Sequence, residues 1–163
     1  MTFNLKKTAF YSVVALIIFS GQFLLNHGLV TGAPPVIKQK TMTGYNAMKT
    51  ISQGPAIIYF WAEWCGICKM MQQPLTAVSE DFPVITIAVK SGDDKKVQNY
   101  LNEKSLNWNV VNDPLAEIAK QYQAKGVPSV FFLNEDGKII LTTSGYTSEI
   151  GLRLRLWLVS IFR

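Results

Sequence analysis

Cys65 and Cys68 are the only cysteines in the 163-residue chain, and two residues separate them. A Cys-x-x-Cys pair standing alone suits thiol–disulfide exchange or soft-metal binding. It makes a poor structural staple, which normally closes a longer loop and which a domain of this size does not need. What the pair can do depends on the elements around it. Before it lies the apolar run Ala56-Ile57-Ile58-Tyr59-Phe60, bounded by Gly54-Pro55 and rich in β-branched and aromatic residues, which predicts a buried strand. After it, Met70, Met71, Leu75, Val78 and Phe82 recur at roughly helical spacing over Lys69 to Phe82, with Pro74 expected to kink the helix. The thiols therefore belong at a strand-to-helix turn. Cys65 falls at the helix N-terminus, where unpaired N–H groups and the helix dipole favour a thiolate.

The rest of the chain supplies a framework for that turn. Pro83 to Val89 reads as a second buried strand. Ser91-Gly92-Asp93-Asp94 reads as a turn with a helix N-cap, followed by a helix carrying Val97, Tyr100 and Leu101. Trp108 to Val111 is a short predicted strand, and Asn112-Asp113-Pro114 is expected to cap a helix with Leu115, Ile118, Ala119 and Tyr122. Gly126-Val127-Pro128-Ser129 leads into the strand Val130 to Leu133, and Asn134-Glu135-Asp136-Gly137 turns the chain into Lys138 to Leu141. Leu152 to Leu158 alternates like a strand, yet the polar start at Thr147-Ser148-Glu149 and the length to Arg163 favour a terminal helix. Arg153 and Arg155 between leucines suggest either a membrane-surface helix or, the preferred reading, a packed helix whose arginines reach outward. Strands alternating with helices, then a hairpin and a last helix, describe an α/β sheet with helices on its faces.

The N-terminal part differs in kind. Residues 1–7 are polar and basic, with Lys6-Lys7, and residues 8–25 are mostly apolar without a formal charge. At about 1.5 Å per residue the latter nearly crosses a bilayer core. The lysines would hold the N-terminus in the cytoplasm and place the rest outside. An uncleaved transmembrane anchor is preferred to a cleaved signal peptide, and both export the domain. Residues 26–40, with Gly28, Gly32, Pro34 and Pro35, read as a linker, and residues 41–163 as one domain. The hydrophobic content of the whole chain, 48% against 17% charged residues, argues against disorder. The net charge of +5 is scattered: the only adjacent basic pairs are Lys6-Lys7 and Lys95-Lys96, the latter following Asp93-Asp94, so no nucleic-acid surface is expected.

On these residues the chain resembles the thioredoxin superfamily. Trp61-Ala62-Glu63-Trp64-Cys65-Gly66-x-Cys68-Lys69-Met70 is similar to the active-site signature of thioredoxins, with Ile67 where they carry proline, and Gly126-Val127-Pro128 is similar to the superfamily's cis-proline loop. The apolar N-terminal segment and the extra helix and strand between Asp93 and Val111 resemble the membrane-tethered TlpA- and DsbE-like branch. Within it, Ser91 to Asp94, Tyr100-Leu101, Asn112-Asp113-Pro114 and the tail from Gly145 to Trp157 resemble the suppressor-of-copper-sensitivity protein D (ScsD) group. The resemblance implies a thioredoxin-like fold: a central mixed sheet with helices on both faces and a helix-strand insert, after a transmembrane helix. It implies a redox-active Cys65–Cys68 disulfide without cofactor and a cis bond before Pro128. It further implies protein disulfide substrates, a DsbD/ScsB-like transmembrane thiol-electron donor, a place on the periplasmic side of the inner membrane, and a link to copper tolerance. One departure stands out. Many thioredoxins carry a buried aspartate two residues before the first tryptophan and use it for proton transfer; here that position is Tyr59.

For exchange, Cys65 is the expected attacking residue and Cys68, one turn along and more buried, the resolving one. Trp64, Val127 and Pro128 are expected to meet the substrate, Trp61 to pack in the core, and Gly66 and Ile67 to tune the site. Glu63 is expected to be a surface residue rather than a substitute proton acceptor. The alternative function is a copper(I) module using Cys65 and Cys68 with Met70 and Met71. Zinc would need two further ligands, and His27, the only histidine, is expected to be a polar residue at the membrane boundary. No metal site is therefore assigned. A redox-inactive scaffold is the third reading, disfavoured by the intact pair.

Overall fold

The run Ala56–Trp61 forms strand β1, and every one of its side chains is buried. Such a strand must sit at the centre of a sheet with both faces covered. It does so in the computed structural model, which describes residues 30–52 and 54–161. The elements around it are helix α1 (Ala47–Ile51), β1, α2 (Gly66–Met70), α3 (Gln72–Ser79), β2 (Val84–Val89), α4 (Asp94–Glu103), β3 (Val110–Asp113), α5 (Glu117–Gln121), β4 (Ser129–Leu133), β5 (Ile139–Ser144) and α6 (Glu149–Ile161). The sheet order is β3-β2-β1-β4-β5. β2 runs parallel to β1 and β3 parallel to β2, while β4 is antiparallel to both β1 and β5.

Alternation along β1 sorts the core into two layers. Ile57, Tyr59 and Trp61 face one side, where α2 and α3 contribute Cys68, Met71 and Leu75, α4 contributes Val97 and Leu101, and α6 contributes Leu152, Leu156 and Val159. Ala56, Ile58 and Phe60 face the other side, against Ala47 and Ile51 of α1 and Ile118 and Ala119 of α5. The expected mixed sheet with helices on both faces is present, as is the insert, α4 and β3.

Several boundaries moved for local reasons. The break in the helix after Cys68 falls at Met71, where α2 ends and α3 begins, rather than at Pro74. Proline has no N–H to give the carbonyl four residues back, Met70, and its ring crowds that carbonyl. The cost is therefore felt one turn before the proline. The strand expected at Trp108 starts at Val110, and α5 starts at Glu117 rather than at Pro114. Asp113, expected near a cap, is the reason: its buried carboxylate accepts the N–H groups of Glu117 at 2.8 Å and Ala119 at 2.9 Å. The terminal segment is helical as expected, with Leu152, Leu156 and Val159 making the buried stripe. Arg153 of that helix does more than reach outward, pairing with Asp81 at 2.7 Å and Glu149 at 2.8 Å. Residues 30–40, the described part of the expected linker, lie along the domain: Gly32 and Ile139 exchange backbone hydrogen bonds, and Tyr122 donates to the Pro35 carbonyl at 2.8 Å. No helix among the described residues is long and apolar enough to cross a membrane. The anchor expected at residues 8–25, and His27, lie outside the described residues.

Candidate active site

β1 ends at Trp61, and the chain turns through Ala62, Glu63 and Trp64 before α2 begins. Cys65 is the N-cap of α2. Its Sγ accepts the N–H of Cys68 at 3.1 Å, so the sulfur occupies the place that a serine or aspartate oxygen usually takes. A hydrogen bond donated to sulfur favours negative charge there, as does the direction of the helix. Cys65 and Cys68 are joined in a disulfide, with Cα atoms 5.2 Å apart. The expected ranking of the thiols holds, but Cys65 is not openly exposed: it keeps 7% of its surface and Cys68 2%. Attack must therefore come through a narrow opening.

The far side of that opening is the loop before β4. The Val127–Pro128 peptide is cis, as the resemblance implied. The Val127 carbonyl oxygen lies 3.7 Å from Cys65 Sγ, while Pro128 is buried and Val127 partly exposed. Trp64, next to Cys65 in the chain, keeps 61% of its surface exposed, and Ile67, between the two cysteines, 47%. Gly66 is exposed too, and a Cβ there would meet nothing within 4 Å. The fold thus brings Val127 to Cys65 from 62 residues along the chain, with Pro128 next to it, while Trp64, Gly66 and Ile67 adjoin the two cysteines in sequence.

Two contacts from the loop after β2 that hold the motif were not foreseen. Trp64 Nε1 donates to the Lys90 carbonyl at 3.1 Å, and the Glu63 N–H donates to Ser91 Oγ at 3.2 Å. Buried Ser91 in turn donates to the Val89 carbonyl at 3.2 Å. Glu63 itself is only partly exposed and pairs with Lys96 of α4, so its charge ties the motif to the insert. The sequence marks Ser91 as a turn residue but cannot show that it faces a loop 28 residues earlier.

Behind the cysteines, Tyr59 is fully buried. Its ring meets Trp108 edge-on at 6.1 Å, and Trp61 lies 5.5 Å from Trp108 and 5.6 Å from Tyr100. The Tyr59 hydroxyl has no hydrogen-bond partner among the described residues. Burial, reinforced by Tyr100, pushes its ionisation far above the ordinary tyrosine value. Tyr59 therefore stays neutral and is no substitute for a buried carboxylate base.

The arrangement does not favour metal binding. Met71 is buried in the core while Met70 points into solvent with 64% of its surface exposed, so the two thioethers do not converge on the sulfurs. No group of three or more histidine, cysteine, aspartate or glutamate side chains able to hold a metal ion occurs among the described residues. Two thiols joined as a disulfide offer no thiolate to a soft ion.

Comparison with known proteins agrees with this geometry. A thioredoxin-like protein of Haemophilus influenzae is 34% identical over 109 residues, covering 66% of this chain and 65% of that protein. The match thus spans about two thirds of each. The thiol-disulfide oxidoreductase ResA of Bacillus subtilis is 24% identical over 136 residues, 81% of this chain and 75% of its own. Among solved structures, a thiol:disulfide interchange protein of the thioredoxin family from Chlorobium tepidum superposes with a TM-score of 0.65 at 18% identity, covering 80% of this chain and 97% of that one. That likeness shows a thioredoxin-like fold. The AhpC/TSA family pattern matches residues 33–142, and the chain belongs to that family.

Proposed function

We propose that the chain is an extracytoplasmic thiol–disulfide oxidoreductase that exchanges disulfides with protein substrates through Cys65 and Cys68. The observation that carries this reading is the placement of Cys65 Sγ, held by the Cys68 N–H at 3.1 Å and set 3.7 Å from the Val127 carbonyl at the mouth of the site. In the reducing direction, the Cys65 thiolate attacks one sulfur of a substrate disulfide. A new intermolecular S–S bond forms, and the other substrate sulfur leaves as a thiolate and takes a proton from solvent. Cys68, after losing its proton, attacks Cys65 Sγ and expels the remaining substrate sulfur. Two electrons pass to the substrate, and the enzyme is left with the disulfide seen here. With Tyr59 held neutral, the proton of Cys68 must leave by another route, through the opening used by substrate or an intervening water. Trp64, Val127 and Pro128 form the walls against which a substrate segment lies.

The finer reading rests on sequence features. The apolar residues 8–25 after Lys6-Lys7 support a single-pass tether in the inner membrane with the domain on the periplasmic side. A domain there needs a source of electrons, and a DsbD/ScsB-like transmembrane thiol carrier fits that need. Resemblance to the ScsD group supports a reductase role in copper tolerance or envelope redox homeostasis.

The test is reduction of insulin by the chain in the presence of a small-thiol reductant. Wild-type protein is expected to accelerate precipitation of the insulin B chain, and Cys65→Ser to bring it to the uncatalysed rate. Equal activity of the two would remove the reading. The direction of exchange is read by trapping thiols in intact cells: a mostly reduced pair is expected, and a mostly oxidised pair would contradict the reductase role.

A further inference from the structure

A trough of about 660 Å³ is lined by Trp64, Val127 and Leu115, and the Val127 carbonyl lies 3.7 Å from Cys65 Sγ. Val89, Ala119 and Ala124 contribute apolar surface to it. Leu115 keeps 75% of its surface exposed. Lys90, Lys120 and Lys125 stand around this surface, and no carboxylate lines it. Lys90 and Lys120 take part in no ion pair among the described residues. Elsewhere on the domain, lysines such as Lys96, Lys104 and Lys138 stand beside acids. The trough thus combines apolar surface with positive charge, and it shares Val127 with the surroundings of the Cys65 sulfur.

We infer that this trough is the docking surface for the residues flanking the reacting cysteine of a protein substrate, and that it selects segments in which apolar side chains alternate with carboxylates. The inference rests on the exchange activity proposed above and adds a class of substrate to it. A polypeptide whose disulfide reaches Cys65 crosses the Trp64–Val127 edge, so its neighbouring residues are carried into the trough. Apolar side chains there leave water against Val89 and Ala119, while carboxylates meet the lysines. A basic segment is repelled by the same charges. Because the lysines are exposed, selection acts through encounter and weak binding and fades with salt.

The test uses the full chain, reduced and held in neutral detergent. Two cysteine peptides of equal length are each joined through a disulfide to 2-mercaptoethanol. Both carry leucine beside cysteine, one with glutamates and the other with lysines as neighbours. The ratio of their kcat/KM values is divided by the ratio of their rates with dithiothreitol, which removes intrinsic differences in sulfur reactivity. The corrected ratio is expected to favour the acidic peptide about 10-fold at low salt and to shrink to about 2-fold at high salt, with the difference carried by KM. Lys90→Gln with Lys120→Gln is expected to bring it close to one. A corrected ratio near one in the wild type, or one untouched by the double substitution, overturns the docking surface while leaving exchange intact. Failure to attack either peptide and also neutral hydroxyethyl disulfide would overturn the exchange reading itself, and this inference with it.

Discussion

Tyr59 occupies the position where a proton acceptor for the second cysteine was to be looked for, and its surroundings decide what it can contribute. A fully buried hydroxyl without a partner among the described residues gives up hydration and receives no protein hydrogen bond in return. Tyr59→Phe is therefore expected to leave stability unchanged or raise it by about 1 kcal/mol in denaturant unfolding. A loss of that size would show that the hydroxyl is satisfied by ordered water. The same substitution is expected to leave the pH profile of disulfide exchange in place between pH 6 and about 9, because a neutral phenol does not titrate there. Ser91 makes the opposite case. It holds the Glu63 N–H and is itself buried, so Ser91→Ala is expected to cost about 1–2 kcal/mol and to slow exchange through a loosened Trp64. An unfolding midpoint matching that of the wild type would show that the contact holds nothing. At this scale the positions of the two cysteines and Trp64 at a strand-to-helix turn were legible from types and near neighbours, and the cis bond before Pro128 from the resemblance. Ser91 was not, since its partner is fixed only once β2 lies beside β1.

At the scale of elements, the strands were the more legible part because each is a run of buried apolar residues. Helix ends were less so, since a single side chain can move them. Asp113 delays α5 by gathering two of its N–H groups into one carboxylate, and Ala116 before it adopts a left-handed backbone, φ 59°. Asp113→Ala is expected to lower stability by about 2 kcal/mol, at the upper end for a cap because the residue is buried and serves two donors. Asp113→Asn should recover part of that loss, as its amide oxygen can still accept one of them. Equal stability of Asp113→Ala and wild type in urea unfolding would contradict this account of α5. The terminal helix shows the other limit. Its alternation of leucines was ambiguous in the sequence, and the structure resolves it through Leu152, Leu156 and Val159, which share one face only in a helix.

Considered whole, the molecule places its reactive pair just past the end of the central strand of a sheet covered on both faces. Two buried tyrosines in that core, Tyr59 and Tyr122, have their ionisation raised by burial. Folded hydroxyls thus keep their protons at a pH where unfolded ones, near the ordinary value of 10, release them. Their contribution is fully present below about pH 10 and is lost as pH rises beyond it, by at most about 1.4 kcal/mol per pH unit for each group. Thermal unfolding is expected to be insensitive to these residues at neutral pH and to fall steeply above pH 10, with a shallower fall in Tyr59→Phe. The proposed exchange depends on a division of labour between the two cysteines. Its most direct measurement is peptide mapping of a Cys68→Ser chain incubated with a disulfide-containing protein. The expected result is an accumulating mixed disulfide on Cys65, discharged by added thiol and absent when Cys65 is also replaced by serine. Recovery of the chain with no adduct on Cys65, under conditions where the wild type reduces the same protein, would contradict it.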